Sequence, residues 1–411
     1  MKRRYTEKIK IYFIVLCVQL VILVILLFNV DKINVSQEKN KVVKTVANTK
    51  TVESPSEETT EEPTTVDNTL YEVSLIAVGD DLVSDSVTHC GLQSDGSYEF
   101  SELFEELKPD IEAADIAVIN QETILGGPDF EYTGYPNFNS PYEIGDAIID
   151  AGFDVVLQAT NHSYDMGLQG IKNCRKYWNK HSKEITMVGL NKSVKQQNTV
   201  TVVEKNNIKI AILNYTYGLN GYTLPEGKEY LVNLIDEEKI KSDLEKAEQI
   251  ADFTIVFPHW GIEYVHEPNS EQEALANMMV ENGADLIIGT HPHVLETIEW
   301  IETDNGNKAL CYYSLGNYTS SQDKTSTMLG GMAKLTIQKQ GNDVRIKDGA
   351  GVVPIVTHYI WGSGRITKTY KLTEYTKNLA SVHSIHSVTN DFSISELKRI
   401  AEDVVGEWIV E

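Results

Sequence analysis

The chain has 411 residues, of which 41% are hydrophobic and 23% are charged. These proportions exclude a disordered, collagen-like or coiled-coil protein, and the length allows one large α/β unit with appendages. The 36 basic and 60 acidic residues give a net charge of −24. That balance argues against nucleic acid as a partner, because binding a phosphate backbone needs a basic surface.

The first thirty residues are typical of a membrane anchor. Residues 1–10 form a basic tail, and residues 11–30 contain the uncharged apolar run Ile11–Phe28. As a helix this run spans roughly 27 Å, close to the thickness of a bilayer. The basic flank predicts a cytoplasmic N-terminus and an extracytoplasmic main domain on the cell membrane. A cleaved signal peptide is the alternative, but its apolar core is usually about 7–15 residues, so an uncleaved single-pass anchor is favoured.

Residues 31–70 follow the anchor and are rich in Thr, Glu, Ser and Pro. A segment with little apolar content and charge of one sign cannot form a packed core. The composition therefore predicts a disordered acidic stalk between the membrane and a folded body.

The four cysteines are too few for a disulfide scaffold, and no CxxC motif is present. We expect none of them to form a structural disulfide or to bind a metal ion. They are Cys17, Cys90, Cys174 and Cys311.

The body alternates between predicted strands and helices, which indicates an α/β protein with antiparallel pieces toward its C-terminal half. The predicted single strands are Glu72–Gly79, Ile116–Asn120, Asp154–Gln158, Ile185–Val188, Phe253–Phe257 and Asp285–Ile288. The predicted helices are Phe100–Leu107, a helix from Ser140 to Gly152, Leu168–His181, Asp236–Ala251 and Glu271–Glu281. The predicted hairpins pair 200–204 with 208–213, 295–301 with 309–314, and 332–338 with 344–356.

Local signals set several of these boundaries. Pro109 breaks the helix Phe100–Leu107 and can open one more short turn. Ser140 occupies the predicted N-cap of the next helix, with Pro141 at its first position. Asn282 and Gly283 are typical of a helix C-terminus.

Polar residues follow nearly every predicted buried strand. In a parallel sheet the carboxyl ends of the strands share one edge, and ligands bind there. Each residue alone has an ordinary explanation, such as a helix cap, a turn or a surface histidine, but together they predict one shared site. The segments begin at Asp80, Asn120, Thr160, His259, Gly289 and Ser314. Oxygen and imidazole ligands without thiolates suit Mn, Fe, Zn or Mg.

The segment His291-Pro292-His293 is the sharpest of these signals. Residues two apart on an extended segment project to the same side, so both imidazoles are expected to face one site.

The ordered motifs resemble those of the CapA family of capsule-synthesis, poly-γ-glutamate biosynthesis proteins. The resemblance covers about residues 72 to 320, and it implies a CapA-like domain over 71–375. The C-terminal segment, 376–411, is expected to be partly helical. It also implies the four-layer α/β/β/α sandwich of calcineurin-like metallophosphoesterases. The motifs are 79–80 (GD), 120–123 (NQET), 160–167 (TNHSYDMG), 259–264 (HWGIEY), 289–294 (GTHPHV) and 314–317 (SLGN).

The metallophosphoesterase pattern implies roles for individual residues. Asp80 and His293 would bind a first metal ion, Asn161, His259 and His291 would bind a second, and Glu122 would stand for the bridging aspartate. His162 would contact the substrate as the catalytic residue. The usual Asp-x-His is Asp80-Asp81-Leu82 here, so one ligand of the first ion is missing, and one or two divalent ions are expected. Further candidates for substrate binding are Asn120, Asp165, Trp260, Glu263 and Asn317.

Three hypotheses for function follow. The resemblance implies a part in making or exporting an anionic capsule polymer, with a membrane synthase or exporter as partner. The second is a metal-dependent hydrolase of an envelope phosphoester or amide, and the third is a non-catalytic scaffold subunit of a membrane synthase. Turnover that requires added metal separates the second from the third. Co-purification with a membrane ligase or exporter separates the first from the second.

Overall fold

The computed structural model describes residues 68–362 and 365–411. The predicted basic tail, the membrane anchor and nearly all of the predicted stalk lie outside these ranges. Among the helices that the structure describes, none has the length and apolar composition needed to cross a membrane.

The described chain alternates between strands and helices through most of its length. The strands are β1 (Leu70–Asp81), β2 (Ile116–Asn120), β3 (Val155–Leu157), β4 (Thr186–Val188), β5 (Thr201–Lys205), β6 (Ile208–Thr216), β7 (Phe253–His259), β8 (Leu286–Ile288), β9 (Ile298–Glu302), β10 (Lys308–Tyr312), β11 (Asn317–Thr319), β12 (Leu329–Gln340), β13 (Asp343–Ile346), β14 (Gly351–Ile360) and β15 (Ile366–Lys371). The α-helices are α1 (Asp85–Gly91), α2 (Lys108–Ala113), α3 (Tyr142–Ala151), α4 (Gly167–Lys180), α5 (Val194–Gln197), α6 (Glu237–Ile250), α7 (Ser270–Glu281), α8 (Lys377–Val382) and α9 (Ile394–Val405). Short 3-10 helices lie at Ser101–Leu103, Glu229–Leu231, Thr325–Met328, Ser384–Ser387 and Gly406–Trp408.

The strands form two mixed sheets, which confirms the predicted α/β class. The first sheet has the order β15-β14-β12-β1-β2-β3-β4, with β11 paired to β1 and β13 paired to β12. Its strands β1 to β4 run parallel, whereas β12, β14 and β15 run antiparallel to their neighbours. The second sheet has the order β5-β6-β7-β8-β10-β9, and β6, β7, β8 and β10 run parallel.

Apolar side chains of both sheets meet in one cluster between them. A second cluster joins the other face of the first sheet to α1–α4, and a third joins the other face of the second sheet to α6 and α7. Strand β1 lies between β12 and β2 and is covered on both faces, which explains its uninterrupted apolar run Leu75–Val78. This packing fixes the carboxyl ends of the parallel strands relative to one another.

The predicted α-helix Phe100–Leu107 is wrong. A 3-10 helix at Ser101–Leu103 and further turns replace it, with hydrogen bonds such as Phe104 N to Ser101 O at 3.1 Å. Apolar residues at intervals of three and four are compatible with 3-10 turns as well as with an α-helix. The α-helix begins instead at Lys108, with Pro109 in its first turn, where a proline is tolerated.

Two further boundary predictions are also wrong. Pro141, and not Ser140, is the N-cap of α3, because the Ser140 hydroxyl lies 2.7 Å from the Thr123 hydroxyl instead. The predicted strand 344–356 is two strands, β13 and β14, since the chain turns at Gly349, which has a φ of 98°.

The C-terminal helix α9 packs into the cluster that also contains β12 and β14. Leu397→Ala should lower the free energy of unfolding by about 2–5 kcal/mol, because Leu397 is fully buried and its removal leaves a cavity. Urea unfolding of the full chain measures the change. The neighbouring Lys398 is exposed, so Lys398→Ala should change stability by less than about 0.5 kcal/mol. Equal effects of the two variants would contradict this packing.

Candidate metal centre

One buried group of polar side chains lies where the strands end. Asp80 and Asn120 lie at the ends of β1 and β2, where they are paired in register. Asn317 opens β11 and is paired with Asp80 from the other side. The other members lie at or beyond the ends of β2, β3, β7 and β8: Glu122, Asn161, His162, His259, His291 and His293.

Asp80 is fully buried at the base of this group. Its carboxylate accepts a hydrogen bond of 2.8 Å from the Asn120 side-chain amide and one of 3.2 Å from the His291 backbone N–H. The Nδ1 atom of His293 lies 3.0 Å from Asp80 Oδ2 and 3.1 Å from the Asn317 amide oxygen. Asn120 and Asn317 therefore orient Asp80 and His293.

Glu122 lies between the histidines, and neither of its buried carboxylate oxygens has a hydrogen-bond partner. One oxygen is 3.6 Å from His293 Nδ1, and the other is 3.8 Å from His259 Nε2. Burial, reinforced by the nearby acidic side chains, raises the pKa of Glu122 well above its ordinary value. A buried carboxylate without hydrogen bonds is costly unless a cation compensates it.

His259 and His291 are buried as neutral imidazoles. Burial and the neighbouring histidines lower the pKa of both well below the ordinary value. The rings are 4.9 Å apart, and His291 Nδ1 has no hydrogen-bond partner. His259 Nε2 lies 2.9 Å from the Asn161 amide oxygen, while the Thr290 hydroxyl holds His259 Nδ1 at 2.9 Å. Neutral imidazole is the form that binds metal ions.

His291 and His293 face the same site, but not for the reason that the sequence indicated. Their segment is not extended, because His291 has a φ of 100° and His293 a φ of 59°. Such angles are strained for residues with a side chain and persist only where surrounding contacts hold them. The bond from the His291 N–H to Asp80 and the bond from the Tyr264 N–H to the Pro292 carbonyl, at 2.8 Å, provide those contacts.

His162 lies at the edge of the group and is buried. Its Nδ1 is 2.7 Å from Asp165 Oδ2, and that oxygen also accepts the Phe138 backbone N–H at 2.7 Å. The Phe138 ring packs edge-on against the imidazole. Nε2 points toward Glu122, at 4.0 Å from Oε1. Asp165 thus fixes the orientation of His162, a role different from the predicted substrate contact.

Two other candidates for substrate contact have different positions. Trp260 is not brought to the group, because alternation along the chain turns it opposite to His259 and into the core beneath α7. Its indole N–H donates to the Tyr313 carbonyl at 2.9 Å. The exposed Glu263 comes close enough to bind a shared ion with His291 and His293.

Two further residues surround the group and were not predicted from the sequence. Asn220 accepts a 3.2 Å hydrogen bond from the Asn161 amide and lies 3.4 Å from His162 Nε2. The half-exposed Tyr217 packs its ring 4.6 Å from that of His291. Both residues follow the carboxyl end of β6, which runs parallel to β7. Applying the strand-end rule to β6 would have found them.

Among the described residues, three sets of acidic and histidine side chains have ligand atoms within 4.8 Å of one another. Glu122 belongs to two of the sets, so it would be a shared ligand if both sets held an ion. The sets are Asp80 with Glu122 and His293, Glu122 with His259 and His291, and Glu263 with His291 and His293. The unpaired Glu122 oxygens and the unpaired His291 nitrogen fit a divalent ion with oxygen and nitrogen ligands. The described cysteines belong to none of these sets and are free thiols.

Metal affinity should rise with pH. Burial alone would lower the pKa of His293, but the Glu122 and Asp80 carboxylates outweigh it and raise the pKa to about 9. The metal-free group therefore holds at least one proton at neutral pH, and a bound ion must displace it. Below pH 9 we expect the affinity for Mn²⁺ to fall about tenfold per pH unit for each displaced proton. Calorimetry in buffers of different ionisation enthalpy measures the proton release, and an affinity that is constant from pH 6 to 9 would contradict the prediction.

Comparison with known proteins agrees with the motifs. The family model described as bacterial capsule synthesis protein PGA_cap matches residues 74–322. The PGA biosynthesis protein CapA of Bacillus subtilis (strain 168) is 32% identical over 201 residues, covering 47% of this chain and 49% of that protein. The capsule biosynthesis protein CapA of Bacillus anthracis is 29% identical over 202 residues, covering 48% and 47%. The chain thus spans about half the length of these curated relatives.

Two solved structures show a weaker likeness. The NAD nucleotidase of Haemophilus influenzae is 11% identical with a TM-score of 0.45, over 82% of this chain and 67% of that one. A 5′-nucleotidase precursor of Thermus thermophilus is 13% identical with a TM-score of 0.43, over 81% and 59%.

Proposed function

The chain belongs to the bacterial capsule synthesis protein PGA_cap family, and we propose that it acts in the synthesis or export of an anionic capsule polymer. The polymer we propose is poly-γ-glutamate, which is supported by the name of the Bacillus subtilis relative, a PGA biosynthesis protein. We assign the two sheets and their outer helices to the four-layer sandwich of calcineurin-like metallophosphoesterases. The partners we propose are the polymer and its membrane synthase or exporter, and no nucleic acid.

The observation that carries the proposal is the buried group around Glu122. Two carboxylates and three histidines converge there, and both Glu122 oxygens lack hydrogen-bond partners. A divalent ion, such as Mn, Zn, Fe or Mg, would satisfy them and would be held by Asp80, Glu122, Asn161 and the histidines. Bound there, it would supply positive charge and Lewis acidity to an oxygen of the substrate.

The local charge matters because the polymer is anionic and the chain carries a net charge of −24. Most of an acidic surface repels a polyanion. A metal site supports local attraction, since a bound ion is often the largest charge in its surroundings.

A metal-dependent hydrolase acting on an envelope phosphoester or amide is the second candidate. The arrangement of His162 favours it, because Asp165 holds Nδ1 while Nε2 points toward the ligand group. His162 can therefore hold a proton at Nε2 and deliver it to a leaving group or stabilise an oxyanion. Turnover of γ-linked oligoglutamate or of a phosphodiester by the purified full chain, only with added Mn²⁺, would establish this candidate.

Gene deletion in the host cell tests the proposed function. Loss of the gene should remove γ-linked glutamate polymer from the cell surface, and the wild-type gene should restore it. The polymer is measured as glutamate released by acid hydrolysis of surface material. Unchanged polymer in the deletion strain would overturn the proposal.

We further propose that Ile11–Phe28 anchors the chain in the cell membrane with its body outside. Five basic residues before an apolar run of spanning length support this orientation. Protease added to cells without their wall but with intact membranes should remove the body. A body that resists until the membrane is permeabilised would mean the opposite orientation.

A further inference from the structure

Lys324 is an exposed cation beside the candidate metal centre. Its Nζ lies 3.6 Å from the centre of the Tyr264 ring, and that ring centre is 6.1 Å from the centre of the His293 imidazole. A lysine ammonium over an aromatic face is held there by the negative charge of the ring face. Lys324 therefore presents positive charge a short distance from the ligand group.

Lys324 has no acidic partner among the described residues, since none of their carboxylates comes within 4.0 Å of its Nζ. Other described lysines do: Lys368 reaches Glu105 at 2.7 Å, and Lys371 reaches Asp110 at 2.9 Å. The Lys324 ammonium is therefore available to an anion from solution.

A chain of hydrogen bonds ties the Lys324 loop to the centre. The side-chain amide of Asn317 has its oxygen 3.1 Å from His293 Nδ1, and its N–H group donates to the Gln322 side-chain oxygen at 2.9 Å. Gln322 in turn donates to the Tyr264 hydroxyl at 3.3 Å. The position of the ammonium is thus linked to the same side chains that orient the predicted metal ligands.

We propose that Lys324 is a specificity-determining residue that binds a carboxylate of an extended anionic substrate whose reacting or anchored group lies at the metal centre. The chain of the substrate continues from the centre past Tyr264 to Lys324. The separation between His293 and Lys324 is one that a few residues of an extended chain cover. This inference rests on the proposed function. The site would recognise one feature of the polymer, a negative charge at a set distance from the metal.

Calorimetry on the Mn²⁺-loaded full chain tests the inference, with short γ-linked oligoglutamate as probe. Lys324→Gln should weaken the affinity about 3- to 10-fold at low salt, because one charge-assisted contact is lost. Lys324→Arg should retain most of the affinity. Lys308→Gln is the matched control, because Lys308 also lies over an aromatic ring, that of Trp300 at 4.9 Å, on the β9–β10 hairpin. The affinity of the Lys308→Gln variant for oligoglutamate should stay within twofold of the wild type. The uncharged γ-linked oligoglutamine should not distinguish Lys324→Gln from the wild type.

Inorganic tripolyphosphate separates failure of this inference from failure of the proposed function. If the wild type binds tripolyphosphate but not oligoglutamate, and Lys324→Gln alone weakens that binding, the polymer assignment fails and the anion-binding role stands. If Lys324→Gln binds every anionic probe as tightly as the wild type, or if no anionic probe binds, the inference is overturned. Equal losses in Lys308→Gln and Lys324→Gln would also overturn it, because general surface charge would then explain the effect.

Discussion

His291→Ala should lose both the metal ion and polymer output. His291 has a ligand atom within 4.8 Å of ligand atoms of Glu122, His259, His293 and Glu263. Its buried Nδ1 has no hydrogen-bond partner in the protein. Removing a residue that supports a ligand typically lowers metal affinity about 10–100-fold. Removing a ligand itself should lower the metal affinity by more than that. Elemental analysis of the purified full chain measures the metal content, and surface glutamate measures the output.

His358→Ala is the matched control for this experiment. His358 is also buried, with its Nδ1 2.8 Å from the Tyr375 hydroxyl, but it belongs to none of the ligand sets among the described residues. It should lower the melting temperature while the metal stoichiometry stays at the wild-type value. If His291→Ala also kept its metal and lost only thermal stability, His291 would be a structural histidine and the assignment would be wrong.

The sequence predicted the elements whose stability is local and the site residues that adjoin them. The apolar runs of β1, β2 and β7 mark buried strands because parallel strands are covered on both faces. Gly152, with a φ of 98°, ends α3 as its position predicted. Asp80 and Asn120 sit on neighbouring strand ends of the first sheet, so the sheet order alone brings them together. His259 ends β7 of the second sheet and reaches them through the packing of the two sheets.

The sequence did not predict features that depend on contacts between distant segments. Nothing local distinguishes the turns around Phe104 from an α-helix, since both bury the same apolar side chains. Asn220 and Lys324 lie on loops whose positions depend on Asn161 and Tyr264, which are far away in sequence. The strained turn at His291 likewise depends on the carboxylate of Asp80, 211 residues away.

His162→Ala should abolish function while leaving the metal content unchanged. Its Nε2 lies 4.0 Å from Glu122 Oε1, and its Nδ1 is held by Asp165, so the ring points at the ligand group without belonging to any of the sets. A proton-donating or oxyanion-binding group of this kind contributes roughly 10²–10⁴-fold to a rate. Metal stoichiometry, melting temperature and polymer output, measured together, separate this role from a structural one.

Asp165→Asn sharpens this last prediction, because it keeps the size of the side chain and the acceptor for the Phe138 N–H while removing the charge that faces His162 Nδ1. If Asp165 acts by holding the imidazole with Nε2 toward the centre, Asp165→Asn should lower output less than His162→Ala does, at unchanged metal content. It should also shift the pH profile of any metal-dependent turnover, which a purely structural role would leave in place. Full polymer output from His162→Ala would remove His162 from the mechanism, and Asp165 would then serve only to hold the Phe138 loop against the site.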